Sequence, residues 1–259
     1  MTSGTLKNYL DHLYTETNKR CFVHPDPLET VLEYDQLEDR EIVALLASVL
    51  AYGQVGQILR SLRTLLSSMN PGPSSLVMRL SYKDWEEALR SFKHRWTTGE
   101  DVAGLLWAIR RMKEQYGSLQ KAFRAGWKRS DDTILPALVL WVDRFDRLGV
   151  ERRTGLLPSP EDGSACKRMN LFLRWMVRKD EVDPGGWEGM RAAQLIVPLD
   201  VHMHRVGLQL GLTTRRQADL KTAMEVTDSL RRVAPDDPVR YDFSLTRAGI
   251  SRRSQIIPS

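Results

Sequence analysis

Two punctuated helix starts carry the residue types best suited to covalent chemistry in this chain, a lysine at position 167 and an aspartate at position 200. Gly163-Ser164-Ala165-Cys166-Lys167 opens the first, with Ser164 as the expected N-cap and Lys167 in the first turn. A cation there opposes the helix dipole, which lowers the cost of deprotonation; a neutral amine is a nucleophile. On a helical wheel Lys167 lies about 160° from the apolar stripe of Met169, Phe172 and Met176, so it points away from that stripe. Pro198-Leu199-Asp200-Val201-His202 opens the second helix, and Asp200 suits its N-cap. The plain alternatives are a solvated lysine and a purely capping aspartate. His202 and His204 are two residues apart, the spacing of a metal pair on a strand rather than on a helix, so no metal site is expected.

The elements that must position these residues read as helices. Apolar residues recur at three- and four-residue spacing in Thr5 to Asn18, Asp39 to Ala51, Trp85 to Phe92, Gly99 to Tyr116, Leu119 to Trp127 and Asp131 to Leu148. The same reading holds for Ser164 to Arg178, Asp200 to Leu210, Arg216 to Val233 and Pro238 to Ala248. Asp39 is the expected N-cap of its helix. Tyr52-Gly53-Gln54 either interrupts the helix before it or is carried through. Cys21 to Pro27, Asn70-Pro-Gly-Pro73, Thr154 to Ser164 and Asp183-Pro-Gly-Gly186 are the clear connectors and turns. No segment reads as a strand. The expected fold class is all-α, with ten or more helices in an irregular arrangement rather than an up-down bundle.

Composition narrows the partners. Among 259 residues, 38 lysines and arginines face 33 acids, a net charge of +5 that favours a polyanion without establishing one. The excess is dense between Thr213 and Arg253, which holds Arg215, Arg216, Lys221, Arg231, Arg232, Arg240, Arg247, Arg252 and Arg253. Two cysteines, Cys21 and Cys166, exclude a disulfide scaffold and any four-cysteine cluster within the chain. The opening MTSGTLKNYLDHLY lacks the apolar core of a signal peptide, and no run is long enough to span a bilayer, so a cytoplasmic location is expected.

The block GSACKRMNLFLRWM followed by LIVPLDVHMHRVGLQLG resembles the helix-hairpin-helix DNA glycosylases. In that superfamily a hairpin leads into a lysine-bearing helix, and a short downstream motif carries the catalytic aspartate. Leu199-Asp200-Val201-His202 is similar to that motif in the 8-oxoguanine glycosylases. Lys167 and Asp200 are 33 residues apart, a long separation that resembles the archaeal 8-oxoguanine branch. The hairpin reads LPSPEDGS, with prolines at 158 and 160 and a single glycine at 163, whereas the common hairpin is compact and glycine-rich. The segments ALLASVLAYGQV, FKHRW, NLFLRWMVRKD and DPVRYDFSLTRAGI, with the aspartate block, resemble over nearly the whole chain a bacterial family of unassigned function, the DUF2400 group.

The glycosylase resemblance implies two helical lobes around a central cleft, approximately residues 46–180 and residues 1–45 plus 181–259. It implies a base-excision enzyme, a DNA glycosylase with AP lyase activity, acting on duplex DNA with a modified or damaged base, an oxidised purine first. Lys167 would be the nucleophile and Asp200 its carboxylate partner, with no cofactor and no metal. Gln54 and His202 would meet the extruded nucleotide or the gap it leaves, Trp107 and Trp175 are candidate stacking groups, and Asp237 and Asp242 candidate acceptors for a base edge. Gly163, Ser164, Arg168, Arg174, Arg178 and Lys179 would form the DNA-backbone edge. The alternative is a non-catalytic DNA-structure or damage-binding protein on the same scaffold.

Overall fold

The computed structural model describes residues 3–150 and 155–250. In chain order its α-helices are α1 (Ser3–Thr17), α2 (Leu28–Val31), α3 (Leu37–Val49), α4 (Val55–Ser67), α5 (Pro73–Arg79), α6 (Tyr82–Ala88), α7 (Gly99–Tyr116), α8 (Leu119–Arg124), α9 (Leu135–Arg147), α10 (Lys167–Val177), α11 (Val201–Gln209), α12 (Leu220–Arg231) and α13 (Asp242–Ile250). Two strands of two residues, β1 (Lys93–His94) and β2 (Thr97–Thr98), pair antiparallel between α6 and α7. The chain is thus predominantly helical, and the expectation of no strand is corrected by this short hairpin. Two residues are too few for an alternating pattern to be visible in sequence.

Local chemistry sets the helix ends. Thr98 and Asp101 form a reciprocal capping box at the start of α7, and Gly117 ends it in the left-handed region at φ 87°. Ser81 and Asp84 cap α6 in the same way. Gly53, at φ 98°, breaks the chain between α3 and α4, so Tyr52-Gly53-Gln54 is an interruption. Asp39 is not an N-cap. It lies inside α3, whose N-cap is Gln36, and its Oδ1 accepts a bond from the Ser74 amide at 2.7 Å in the first turn of α5. Two helices are pinned by a carboxylate that local pattern assigned to one.

The chain divides into two compact units. One comprises Met1–Val23, Arg129–Ile134 and Pro160–Ser259, and the other His24–Lys128 and Leu135–Ser159. These boundaries differ from the expected lobes in two main places: residues 24–45, with α2 and most of α3, group with the central helices, and residues 160–180, with α10, group with the terminal ones. The unit containing α10 has α13 packed on both α1 and α11, and its core includes Leu10, Phe172, Trp175, Met176, Val206, Leu230 and Tyr241, each at most 1% exposed. In the other unit, α7 packs on α6, α8 and α9, around Leu46, Leu62, Trp85, Ile109, Phe123 and Trp141. Among the described residues, no helix is long and apolar enough to cross a membrane. Of the basic run, Arg252 and Arg253 lie outside the described residues, as does Thr154 of the connector.

Candidate active site

Lys167 is the first residue of α10 and is half-buried. The N-cap position belongs to Cys166 rather than Ser164, with Cys166 held at φ 48° in the left-handed region. Ser164 has a different task, its Oγ accepting from the Cys166 amide at 3.2 Å. The residues before it are tied down. Gly163 donates its amide to the Pro160 carbonyl at 3.1 Å, its own carbonyl accepts from the Leu220 amide at 3.1 Å, and Ser164 bridges to Asp219 beside the start of α12. The Cys166 thiol is buried, and burial pushes its pKa up to about 12, so it is an inert neighbour of the amine.

Asp200 is the N-cap of α11. Its Oδ1 accepts from the His202 amide at 2.9 Å and the Met203 amide at 2.8 Å, while its backbone carbonyl accepts from His204 at 2.8 Å. The chain reaches it through the buried run Leu195, Ile196, Val197 and Leu199. That run is anchored where the Val197 amide donates to Thr227 Oγ1 at 3.0 Å. One carboxylate oxygen is therefore committed to the helix end, and the group is half-buried.

What lies along α10 links these two starts. Arg174 is seven residues after Lys167, about 20° away on the wheel, so the two share one face of the helix. That face is buried at Arg174, which is 4% exposed. Its Nε and Nη2 donate to Asp183 Oδ1 at 3.1 and 2.9 Å, and its Nη1 donates to Asp242 Oδ2 at the start of α13. Arg178 continues the cluster. It donates to Asp183, to Asp180 Oδ2 at 2.8 Å, and to both oxygens of Asp237 at 3.0 Å. The turn Asp183-Pro-Gly-Gly186 folds back onto the end of α10, with the Gly185 amide on the Trp175 carbonyl at 2.9 Å.

Four carboxylates thus share two guanidiniums, and a fifth, Asp200, adds its field at Asp242. Burial and this surplus of negative charge raise the Asp242 pKa to about 6, against the pull of Arg174. Asp242 Oδ1 is buried with no hydrogen-bond partner among the described residues. The physical consequence is a carboxyl group near neutrality in its titration, electrostatically coupled to Asp200.

The remaining expected site residues separate into groups. Arg174 and Arg178 are buried and occupied by carboxylates, not presented on an open edge. Lys179 is exposed and Arg168 half-buried. Asp237 and Asp242 hold guanidiniums. Trp175 is fully buried in the core, while Trp107 is half-buried with the Arg110 guanidinium 5.2 Å from its ring centre. Gln54 is the exposed N-cap residue of α4 and makes no side-chain cap bond. His202 is exposed, whereas His204 Nε2 contacts the Arg215 carbonyl at 2.8 Å and so fastens a loop. No group of three potential metal ligands occurs among the described residues. In the sequence Asp183 marks only a turn and Asp180 carries no signature of its own; the signal for both is an acidic turn directly after an arginine-bearing helix.

A family model described as a protein of unknown function, DUF2400, matches residues 26–251. The chain belongs to this family. No curated protein and no solved structure matches it. The family match covers both helix starts, the carboxylate–guanidinium cluster and the β1–β2 hairpin.

Proposed function

We propose that this DUF2400 chain is a DNA base-excision enzyme, a glycosylase with AP lyase activity, in which Lys167 is the nucleophile and Asp200 its carboxylate partner. The observation that carries the reading is the pairing of two helix starts in one compact unit. Lys167 stands at the first position of α10, and Asp200 at the N-cap of α11, which packs against α13. Arg174, on the lysine's own face of α10, bonds the Asp242 carboxylate of α13, whose titration in turn senses Asp200.

In the proposed reaction the neutral Lys167 amine attacks the sugar C1′ and the glycosidic electron pair departs with the base, which takes up a proton. Asp200 stabilises the positive charge that develops on the sugar. Ring opening gives an imine between Lys167 and C1′, which acidifies the C2′ proton. Loss of that proton expels the 3′ phosphate, and water then releases the amine. The target nucleotide must leave the duplex to be reached. An oxidised purine, 8-oxoguanine, is the first substrate to test, on the resemblance of Leu199-Asp200-Val201-His202 to that branch.

Borohydride trapping of wild type and Lys167→Ala against duplexes bearing 8-oxoguanine, uracil, an alkylated purine and an abasic site tests the reading. A covalent adduct that vanishes in the variant is expected. An adduct of equal yield in Lys167→Ala would refute the assigned nucleophile. Salt-sensitive duplex binding with neither an adduct nor alkali-labile sites would instead favour a DNA-structure or damage-binding protein, a reading that fits the capping task of Asp200.

A further inference from the structure

Of the seven tryptophans, Trp96 alone is exposed, at 69%; Trp85, Trp141, Trp175 and Trp187 are at most 2%, and Trp107 and Trp127 half-buried. Its position is built rather than incidental. The register Lys93↔Thr98 and His94↔Thr97 leaves Arg95 and Trp96 as the two-residue tip of the β1–β2 hairpin. Tyr52 lies against that tip, its ring 5.7 Å from the indole and 23° from parallel. The Tyr52 hydroxyl donates to the His94 carbonyl at 2.8 Å and bonds Thr97 Oγ1 at 2.6 Å.

The support continues inward. The His94 ring is fully buried between Ser61 Oγ at 2.9 Å and the Tyr52 carbonyl at 3.1 Å, and burial lowers its pKa. The Arg95 guanidinium sits 4.4 Å from the indole centre. It packs where Gly53 has no side chain, since a Cβ there would lie 2.9 Å from Arg95 Cδ and Nη1. Exposed Lys93, on β1 of the same hairpin, adds a further positive charge.

We infer that Trp96, braced by Arg95 and Tyr52, is a stacking platform for an unpaired nucleobase of DNA. A flat π surface held rigid beside fixed positive charge suits a flat base joined to a phosphate chain. A cationic partner would be repelled by Arg95. Indole stacking is tolerant of base identity, so the platform selects for an unstacked nucleotide rather than for a sequence. This inference rests on the nucleic-acid reading above and is independent of the Lys167 chemistry.

The test compares wild type, Trp96→Ala and Trp96→Phe on a duplex with one unpaired thymine and on the same duplex fully paired, by anisotropy and tryptophan fluorescence, with circular dichroism to confirm folding. Trp96→Ala should weaken binding to the thymine-bulged duplex about tenfold, with a smaller loss on the paired one. Trp96→Phe should recover part of that loss, and bulge-induced quenching should disappear in Trp96→Ala. Equal binding by wild type and Trp96→Ala, the same loss on both duplexes, or no binding of either duplex by wild type would overturn the inference. The Trp96 effect should persist in a Lys167→Ala background. Its presence without any borohydride adduct would sink the proposed chemistry and leave the platform standing.

Discussion

Arg174 bonds Asp242 from the same face of α10 that carries Lys167 two turns earlier. The contact joins the lysine's helix to the first residue of α13, on which α11, the helix capped by Asp200, also packs. Both partners are nearly inaccessible, at 4% and 3% exposed. Buried ion pairs contribute little net stability as pairs, but removing one member leaves the other charge uncompensated.

Arg174→Ala should therefore destabilise the protein by about 3–5 kcal/mol. Urea denaturation would show this as a lower midpoint with an unchanged slope. Arg174→Ala combined with Asp242→Ala should recover part of the loss, because one of the two carboxylates stranded by the loss of Arg174 is gone. Full additivity of the two single changes would contradict the coupling.

Asp242 gives stability a pH dependence of definite sign. Its folded pKa, about 6, lies above that of an ordinary carboxyl near 3.8. The folded state thus holds the proton more tightly, and this group's contribution is complete below about pH 4 and lost as pH rises through 6. Asp180 opposes it, its pKa lowered against the cost of burial by Arg178 and backbone amides, so its contribution is lost as pH falls. Comparing wild type with Asp242→Asn isolates the first effect. The stability difference should move in favour of the variant by on the order of 2–3 kcal/mol between pH 4 and pH 7. A difference independent of pH would show that Asp242 titrates normally.

Asp200 can be divided into its two roles. Asn at 200 keeps a side-chain oxygen for the His202 and Met203 amides, so Asp200→Asn should alter stability by only a few tenths of a kcal/mol. Asp200→Ala, which loses the cap, should cost about 1 kcal/mol. On the proposed chemistry both variants should release base roughly 100-fold more slowly, since neither carries the charge. Unimpaired base release by Asp200→Asn would leave the aspartate with a capping role alone.

Gly99 should tolerate no side chain. A Cβ at this position would lie 1.8 Å from the Leu89 carbonyl oxygen and 2.7 Å from its carbon, both backbone atoms. Gly99→Ala should therefore destabilise the unit that holds α7 by about 3 kcal/mol through forced backbone displacement. Thermal unfolding followed by circular dichroism would measure the shift. An unchanged midpoint would mean that the α6–α7 approach is looser than this contact requires.

Sequence by itself determined much of what depends on neighbours a few residues away, though not the N-caps of α3 and α10. Thr98, Asp101 and Gly117 fix both ends of α7, and Met169, Phe172 and Met176 mark the buried stripe of α10, because capping and helical periodicity act within one or two turns. Asp200 was legible as an N-cap for the same reason. Tertiary structure decided the partners of charges. Arg174 reads as a surface cation until Asp242, 68 positions away, is brought to it, and Asp39 reads as a cap until Ser74 is. The two-residue strands of the hairpin carry no period of their own, so Trp96 becomes recognisable as an exposed, braced indole only when Tyr52 is folded against it. Local chemistry propagates along the chain, whereas burial, ion pairing and aromatic stacking depend on contacts that only the folded chain brings into register.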